Sequence, residues 1–267
     1  MNITLTLQPS KMEAAPYIAL IHGMGSAATA WKPLTPYLLD RFNVITLDLP
    51  GHGESGFTQG QEMDPTSLAE QVVQQIEHEF GSIEFNLVGN SWGGWIALEM
   101  AALFPKKIGS VIALAPAGFW LASYVQRAPG TATMRSLANS ASSLTTIFLK
   151  YEWARKIGFE DVSPNWRKFS NELCLDATIA MANSAGYFPA WDGMLSKRFD
   201  SKIDSSIPVK IIFGDSDKTL PATTCQERAM APDHSQWITL AESGHAPMWD
   251  NVEAVAGHIF EIAGIRR

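Results

Sequence analysis

Residues 86–97, NLVGNSWGGWIA, decide how this chain is read. Leu87 and Val88 close an apolar, strand-like run, and WIALEMAALF beyond them has the composition of a buried helix that stops at Pro105. Between the two stands one serine, Ser91, bracketed by Gly89 and Gly93 in the pattern G-x-S-x-G, with Gly94 as a further small residue. This is the signature of a sharp strand-to-helix turn that lifts a serine hydroxyl out of the fold. Such a turn strains the backbone at its corner and brings strand and helix close together, so its flanking positions must be nearly free of side chain.

Working outward, the same strand–helix alternation recurs. On the N-terminal side, Ile3, Leu5 and Leu7 alternate with polar residues as in a half-buried strand. Tyr17–Ile21 (YIALI) is a continuous apolar run of the kind covered on both faces, and it empties into His22-Gly23-Met24-Gly25. A helix carrying Trp31, Leu34 and Leu38 is expected next, then a buried strand Val44–Leu47 leading into DLPGHGES. Pro65, with Asp64 as N-cap or with Ser67 and Glu70 as a competing capping box, starts a helix whose Leu68, Val72, Val73, Ile76 and Phe80 share one face. A strand over Val111–Leu114 follows the serine's helix. After Pro208 the pattern resumes with VKIIFG, a helix from about Ala222 to Ala231, a strand over Trp237–Leu240 and a last helix Val252–Ile262. Short links between alternating strands and helices imply an α/β fold with a mostly parallel, doubly wound sheet.

Residues 118–203 break the alternation: they hold helix-length, aromatic-rich pieces and no convincing strand. They are read as a helical cap inserted into a core made of residues 1–117 and 204–267. Its position puts it over the carboxyl edge of the sheet, where such sheets bind ligands. Phe119, Trp120 and Tyr124, at its start, are therefore expected to touch substrate.

The 267 residues suffice for one large α/β domain with an insertion. With 46% hydrophobic and 18% charged residues the composition is that of a folded globular chain. A formal charge of -7, without clustered Lys and Arg, argues against nucleic acid as partner. No apolar run is long enough for a membrane span, and the N-terminus lacks the basic-then-apolar layout of a leader. Two scattered cysteines, Cys174 and Cys225, suggest reduced thiols, so the expected location is cytoplasmic.

A serine hydroxyl becomes a useful nucleophile only when a histidine takes its proton and an acid holds that histidine. Of the 6 histidines, His78 and His258 fall in amphipathic helices and His234 in a polar turn, positions typical of solvated surface. His22 and His52 lie in glycine loops that they are expected to order. His245, in SGHAPMW just after the last strand, is the best-placed base. For the acid, GDSDKTLP offers Asp215 and Asp217, and either could face the histidine. No cluster has metal-ligand spacing, and neither metal nor organic cofactor is expected.

In this order and spacing HGMG, DLPGHGES, GNSWGG, GDSD and SGH resemble the α/β-hydrolase fold over nearly the whole chain outside the cap. The resemblance implies a nucleophile, acid and base at Ser91, Asp217 and His245. In the family the acid usually stands three residues beyond the strand-end glycine, here Gly214, which favours Asp217 and leaves Asp215 in reserve. By position, the backbone N–H groups of Met24 and Trp92 would form the oxyanion hole, each worth about 3 kcal/mol of transition-state stabilisation. Only one strand precedes the His-Gly strand where the family usually has two, so about seven strands are expected. A serine at the elbow argues against the aspartate-dependent dehalogenases and epoxide hydrolases of this fold. GNSWGG resembles carbon–carbon hydrolases, but HGMGSA lacks their Gly-Pro-Gly and GHAP lacks their aromatic after histidine. The implied activity is that of a serine carboxylesterase on a small or medium ester with an apolar portion. The alternatives are a carbon–carbon hydrolase or lyase on the same triad, and a receptor of low turnover.

Overall fold

The computed structural model describes residues 3–127, 133, 135, 136 and 145–265. The parts of the expected cap at 128–132, 134 and 137–144 lie outside the described residues.

Seven strands form one sheet: β1 (Thr4–Gln8), β2 (Tyr17–Ile21), β3 (Asn43–Asp48), β4 (Phe85–Asn90), β5 (Ile108–Leu114), β6 (Val209–Gly214) and β7 (Gln236–Leu240). Their spatial order is β1-β3-β2-β4-β5-β6-β7. Only β1 runs antiparallel, against β3; the other neighbours are parallel. The mostly parallel, doubly wound sheet of seven strands expected from the sequence is present.

Period-two alternation sorts each strand between two cores. Ala19 and Ile21 of β2, with Ile45 and Leu47 of β3, face one side, where helix α1 (Pro65–Phe80) packs through Leu68, Val72, Val73 and Ile76. Ile18 and Leu20 face the other side, with Trp31, Leu34, Leu38 and Phe42 and with Val255 and Ile259 of the last helix. Helix α2 (Trp92–Leu103) is buried along nearly all of its length between the sheet and α1, which explains an apolar sequence without an amphipathic stripe.

Local chemistry sets the element ends. Asp64 caps α1, accepting the Ser67 N–H at 3.3 Å and its hydroxyl at 2.6 Å, so the competing Ser67/Glu70 box is not used. The expected helix through Trp31, Leu34 and Leu38 is two short pieces, a 3-10 turn Ala28–Trp31 and a helical turn Thr35–Leu38. Pro33 and Pro36 supply no N–H there. The expected helix 222–231 is likewise broken into Ala222–Cys225 and a 3-10 turn Arg228–Met230. Its backbone is drawn aside by residues far away in sequence: Leu121 donates to the Thr224 carbonyl at 2.9 Å and Glu227 to that of Phe119 at 2.7 Å.

Between β5 and β6 the described residues contain helices and no strand. The longer ones are α3 (Glu152–Phe159), α4 (Asn171–Asn183) and α5 (Tyr187–Met194); α6 (Val252–Ile262) closes the fold as expected. No helix among the described residues is long and apolar enough to cross a membrane. Cys174 and Cys225 are both free and buried.

Candidate active site

The register of β2 against β4 pairs Ile21 with Gly89, so two residues further on Gly23 falls beside Ser91. A Cβ built on Gly23 would stand 3.2 Å from the Ser91 Cβ. Ser91 has φ 55 and ψ -118, a conformation that costs a non-glycine residue energy and recurs at functional corners. Its flanking glycines are demanded by contact. A side chain on Gly89 would strike the Gly93 carbonyl, and one on Gly93 would strike the carbonyls of Ile21 and His22. Strand, turn and helix therefore pass too close here for any side chain.

The loop after β2 carries Met24 past this corner. Trp92 opens α2, where the first N–H groups have no acceptor within the helix. Both amides thus belong to the segments that flank Ser91. The loop is fixed by His22, which is wholly buried: Nε2 accepts the Leu49 N–H at 3.0 Å, so Nδ1 carries the proton and donates to the Gly23 carbonyl at 2.7 Å. Burial lowers the His22 pKa to about 4 and, with the neighbouring His22, that of His52 to about 3. Both ring nitrogens of His22 are bonded and His52 is tied through Nδ1 to the Pro50 carbonyl at 3.0 Å, so these two neutral imidazoles brace their loops and are unsuited to act as bases near neutrality.

Beyond β6 and β7 the chain makes two adjacent loops. Asp215 and Ser216 donate their backbone N–H to the carbonyls of Leu240 and Ser243, at 3.0 and 2.9 Å. Asp217 is thereby turned inward. Its Oδ2 meets His245 Nδ1 at 3.0 Å, while Oδ1 accepts the N–H groups of Thr219 and Leu220 at 2.9 and 2.8 Å. The Asp217 side chain is fully buried and that of His245 is 11% exposed, so the imidazole edge is the part of the pair offered outward. Asp215 is exposed and accepts the Ser216 hydroxyl instead. The alternative left open by GDSD is resolved geometrically in favour of Asp217 as the histidine's partner.

Asn90, one residue before the serine, joins the two halves. Its Nδ2 donates to the His245 carbonyl at 2.9 Å and to that of Leu114 at 3.1 Å. Asn90 is not among the residues singled out by motif, although its place beside Ser91 is a signal for it.

Phe119 and Trp120, expected to touch substrate, are core residues. Phe119 is fully buried between Phe199 and Trp237, with ring centroids at 5.6 and 6.1 Å. Trp120 sits edge-on to Trp95 at 5.4 Å and donates its Nε1–H to the Lys197 carbonyl at 2.9 Å. Tyr124 is half-buried, packs edge-on against Trp120 and Trp191, and holds its hydroxyl 3.6 Å from Cys225 Sγ. These rings lock the base of the β5–β6 connection to the sheet.

Other residues of that connection reach the loops around Ser91. A Cβ on Gly25 would fall 2.6 Å from the Met181 methyl and 3.1 Å from the Tyr187 ring. Gly186 donates to the Gly51 carbonyl at 3.0 Å. The end of α4 and the start of α5 therefore rest on the loops that follow β2 and β3. Among the described residues no cluster of His, Cys, Asp and Glu could hold a metal ion.

A family model described as the alpha/beta hydrolase family matches residues 18–258. The dihydrolipoyllysine-residue acetyltransferase component of the acetoin cleaving system of Pseudomonas putida is 26% identical over 239 residues, 89% of this chain but only 60% of that protein's length. A pimeloyl-[acyl-carrier protein] methyl ester esterase of Neisseria meningitidis is 24% identical over 249 residues, covering 92% of this chain and 93% of that one. Among solved structures, the enol-lactonase of Burkholderia xenovorans superposes with a TM-score of 0.74 at 15% identity, over 98% of this chain and 96% of that one. A carboxylesterase of Bacillus subtilis gives 0.68 at 14% identity, over 97% and 87%. With the sheet, the strained serine corner and a family match that spans most of its length, this chain belongs to the alpha/beta hydrolase family.

Proposed function

We propose that this hydrolase is a serine carboxylesterase in which Ser91 is the nucleophile, His245 the general base and acid, and Asp217 the residue that orients the imidazole. One observation carries the reading: a serine held at φ 55 on a strand-to-helix corner, on the sheet edge that also carries a histidine bonded at 3.0 Å to a buried carboxylate. Because Nδ1 is engaged by Asp217, the free Nε2 is the atom that takes the serine proton. Attack on the ester carbonyl places negative charge on its oxygen, where the amides of Met24 and Trp92 donate. Collapse expels the alcohol with the proton from His245 and leaves an acyl group on Ser91. Water, deprotonated by the same nitrogen, then releases the acid. Asp217 stays ionised throughout and stabilises the imidazolium.

The similarity to a methyl ester esterase over nearly the full length of both chains supports ester cleavage ahead of the carbon–carbon reading. The contacts of Met181 and Tyr187 with the Gly25 loop support an apolar wall for the substrate. A multiple-turnover assay on p-nitrophenyl esters beside a vinylogous diketone tests the assignment. Ester turnover that is abolished by His245→Ala is expected; turnover of the diketone alone would overturn it.

A further inference from the structure

Val162 to Asn165 belong to the β5–β6 connection, far in sequence from the proposed triad, yet they grip the peptide that carries its histidine. The His245 N–H donates to the Val162 carbonyl at 2.7 Å. Gly244 passes so close that a Cβ there would strike that same carbonyl and lie 2.8 Å from the Ser163 Cα. The Ser163 hydroxyl, 1% exposed, accepts the Asn165 N–H at 2.9 Å and donates to Asp250 Oδ1. The other Asp250 oxygen accepts the Gly244 N–H at 2.8 Å. Asn165 adds a bond from Nδ2 to the Glu242 carbonyl at 2.7 Å.

The same turn reaches the acid's loop. The Thr219 hydroxyl donates to the Asp161 carbonyl at 3.4 Å, and Lys218 lies 3.8 Å from the Asp161 carboxylate. With Asn90 holding the His245 carbonyl from the opposite side, the peptide around the histidine is fixed at the Gly244 N–H, at its own N–H and at its own carbonyl. Only the imidazole remains to be placed, and Asp217 does that.

We propose that Ser163 and Asp250 are positioning residues: acting through the 161–165 turn, they hold the His245 peptide where its imidazole meets Asp217. The proposal rests on the triad reading for its consequence in turnover, but not for the bond between His245 and Asp217. Misplacing a reacting group by about 1 Å can cost roughly 100-fold in rate without weakening substrate binding. Loosening the clasp should therefore act on kcat and leave KM nearly alone. It should also displace the Nδ1–H resonance of His245, which reports its bond to Asp217.

The test uses the full chain with Ser163→Ala, Asp250→Asn and the double variant, each checked for wild-type thermal unfolding. Turnover of a p-nitrophenyl ester is read beside the NMR spectrum of the His245 ring in protein labelled with 15N-histidine. Expected are a loss of about 10-fold or more in kcat at a KM within about 2-fold, a displaced His245 Nδ1–H resonance, and a double variant no worse than the weaker single, as for groups in one network. A folded Ser163→Ala with wild-type kcat and an unmoved His245 Nδ1–H resonance overturns the clasp, as does a loss confined to KM. Should Asp250→Asn fail to fold, Ser163→Ala decides alone, since it removes a single oxygen. A wild-type protein that turns over no ester would count against the esterase reading, while the His245 resonance, which needs no substrate, would still decide the clasp.

Discussion

Asp217 meets His245 at 3.0 Å while Asp215, two residues before it, stays exposed. Spacing within the family resemblance favours Asp217, and the fold supplies the physical reason. The choice depends on backbone bonds from 215 and 216 to the β7 side, which turn one carboxylate out and the next inward. Asp217→Asn should therefore cost on the order of 10⁴ in kcat by presenting the wrong tautomer of His245. Asp215→Asn, at an exposed carboxylate bonded only to the neighbouring serine, should leave kcat within about 2-fold, as surface changes away from special features do. Steady-state kinetics of the two variants checks this, and the reverse ranking would move the acid to Asp215. Asn90, Ser163 and Asp250 were invisible as a set: the Ser163–Asp250 pair spans 87 positions, and no spacing rule connects them.

At the scale of elements, apolar runs such as Tyr17–Ile21 announced their strands because a strand buried on both faces leaves no polar position to confuse the pattern. The helix α1 was legible from its cap as well as from its face. Asp64→Ala removes the oxygens that accept the Ser67 N–H and hydroxyl and should lower stability by about 1 kcal/mol. Urea unfolding reads this as a lower midpoint at unchanged slope. An unaffected midpoint would return the cap to Ser67 and Glu70. The region 222–231 shows the opposite case. Its composition suits a helix, but the bonds from Leu121 and Glu227 tie it to the start of the β5–β6 connection, and long-range pairing overrode local preference. The same limit applies to Phe119 and Trp120: an aromatic ring suits a core and a pocket equally, and only the packing against Phe199, Trp237 and Trp95 separates the two.

For the whole molecule, the sheet supplies the corner and the two loops, while the β5–β6 connection touches them at two separated places. Met181 and Tyr187 lie against the loop beside Ser91, and Val162 and Ser163 hold the loop of His245. With Met181 and Tyr187 beside the Gly25 loop, the proposed site is expected to favour apolar acyl groups. Across p-nitrophenyl esters from acetate to octanoate, each added methylene that is fully buried should raise kcat/KM by up to roughly 0.8 kcal/mol in barrier terms until the space is filled. Rates that fall steadily from acetate onward would show a small or polar site and would remove the apolar part of the substrate assignment.

The central claim is that Ser91 itself carries the acyl group, and intact-protein mass spectrometry of enzyme quenched in acid during turnover of a p-nitrophenyl ester tests it most directly. The account predicts a protein heavier by one acyl unit, the modification mapping to the peptide that contains Ser91, and neither the adduct nor more than about a hundredth of the wild-type kcat in Ser91→Ala. Turnover persisting in folded Ser91→Ala, or an acyl group mapping elsewhere, would contradict it.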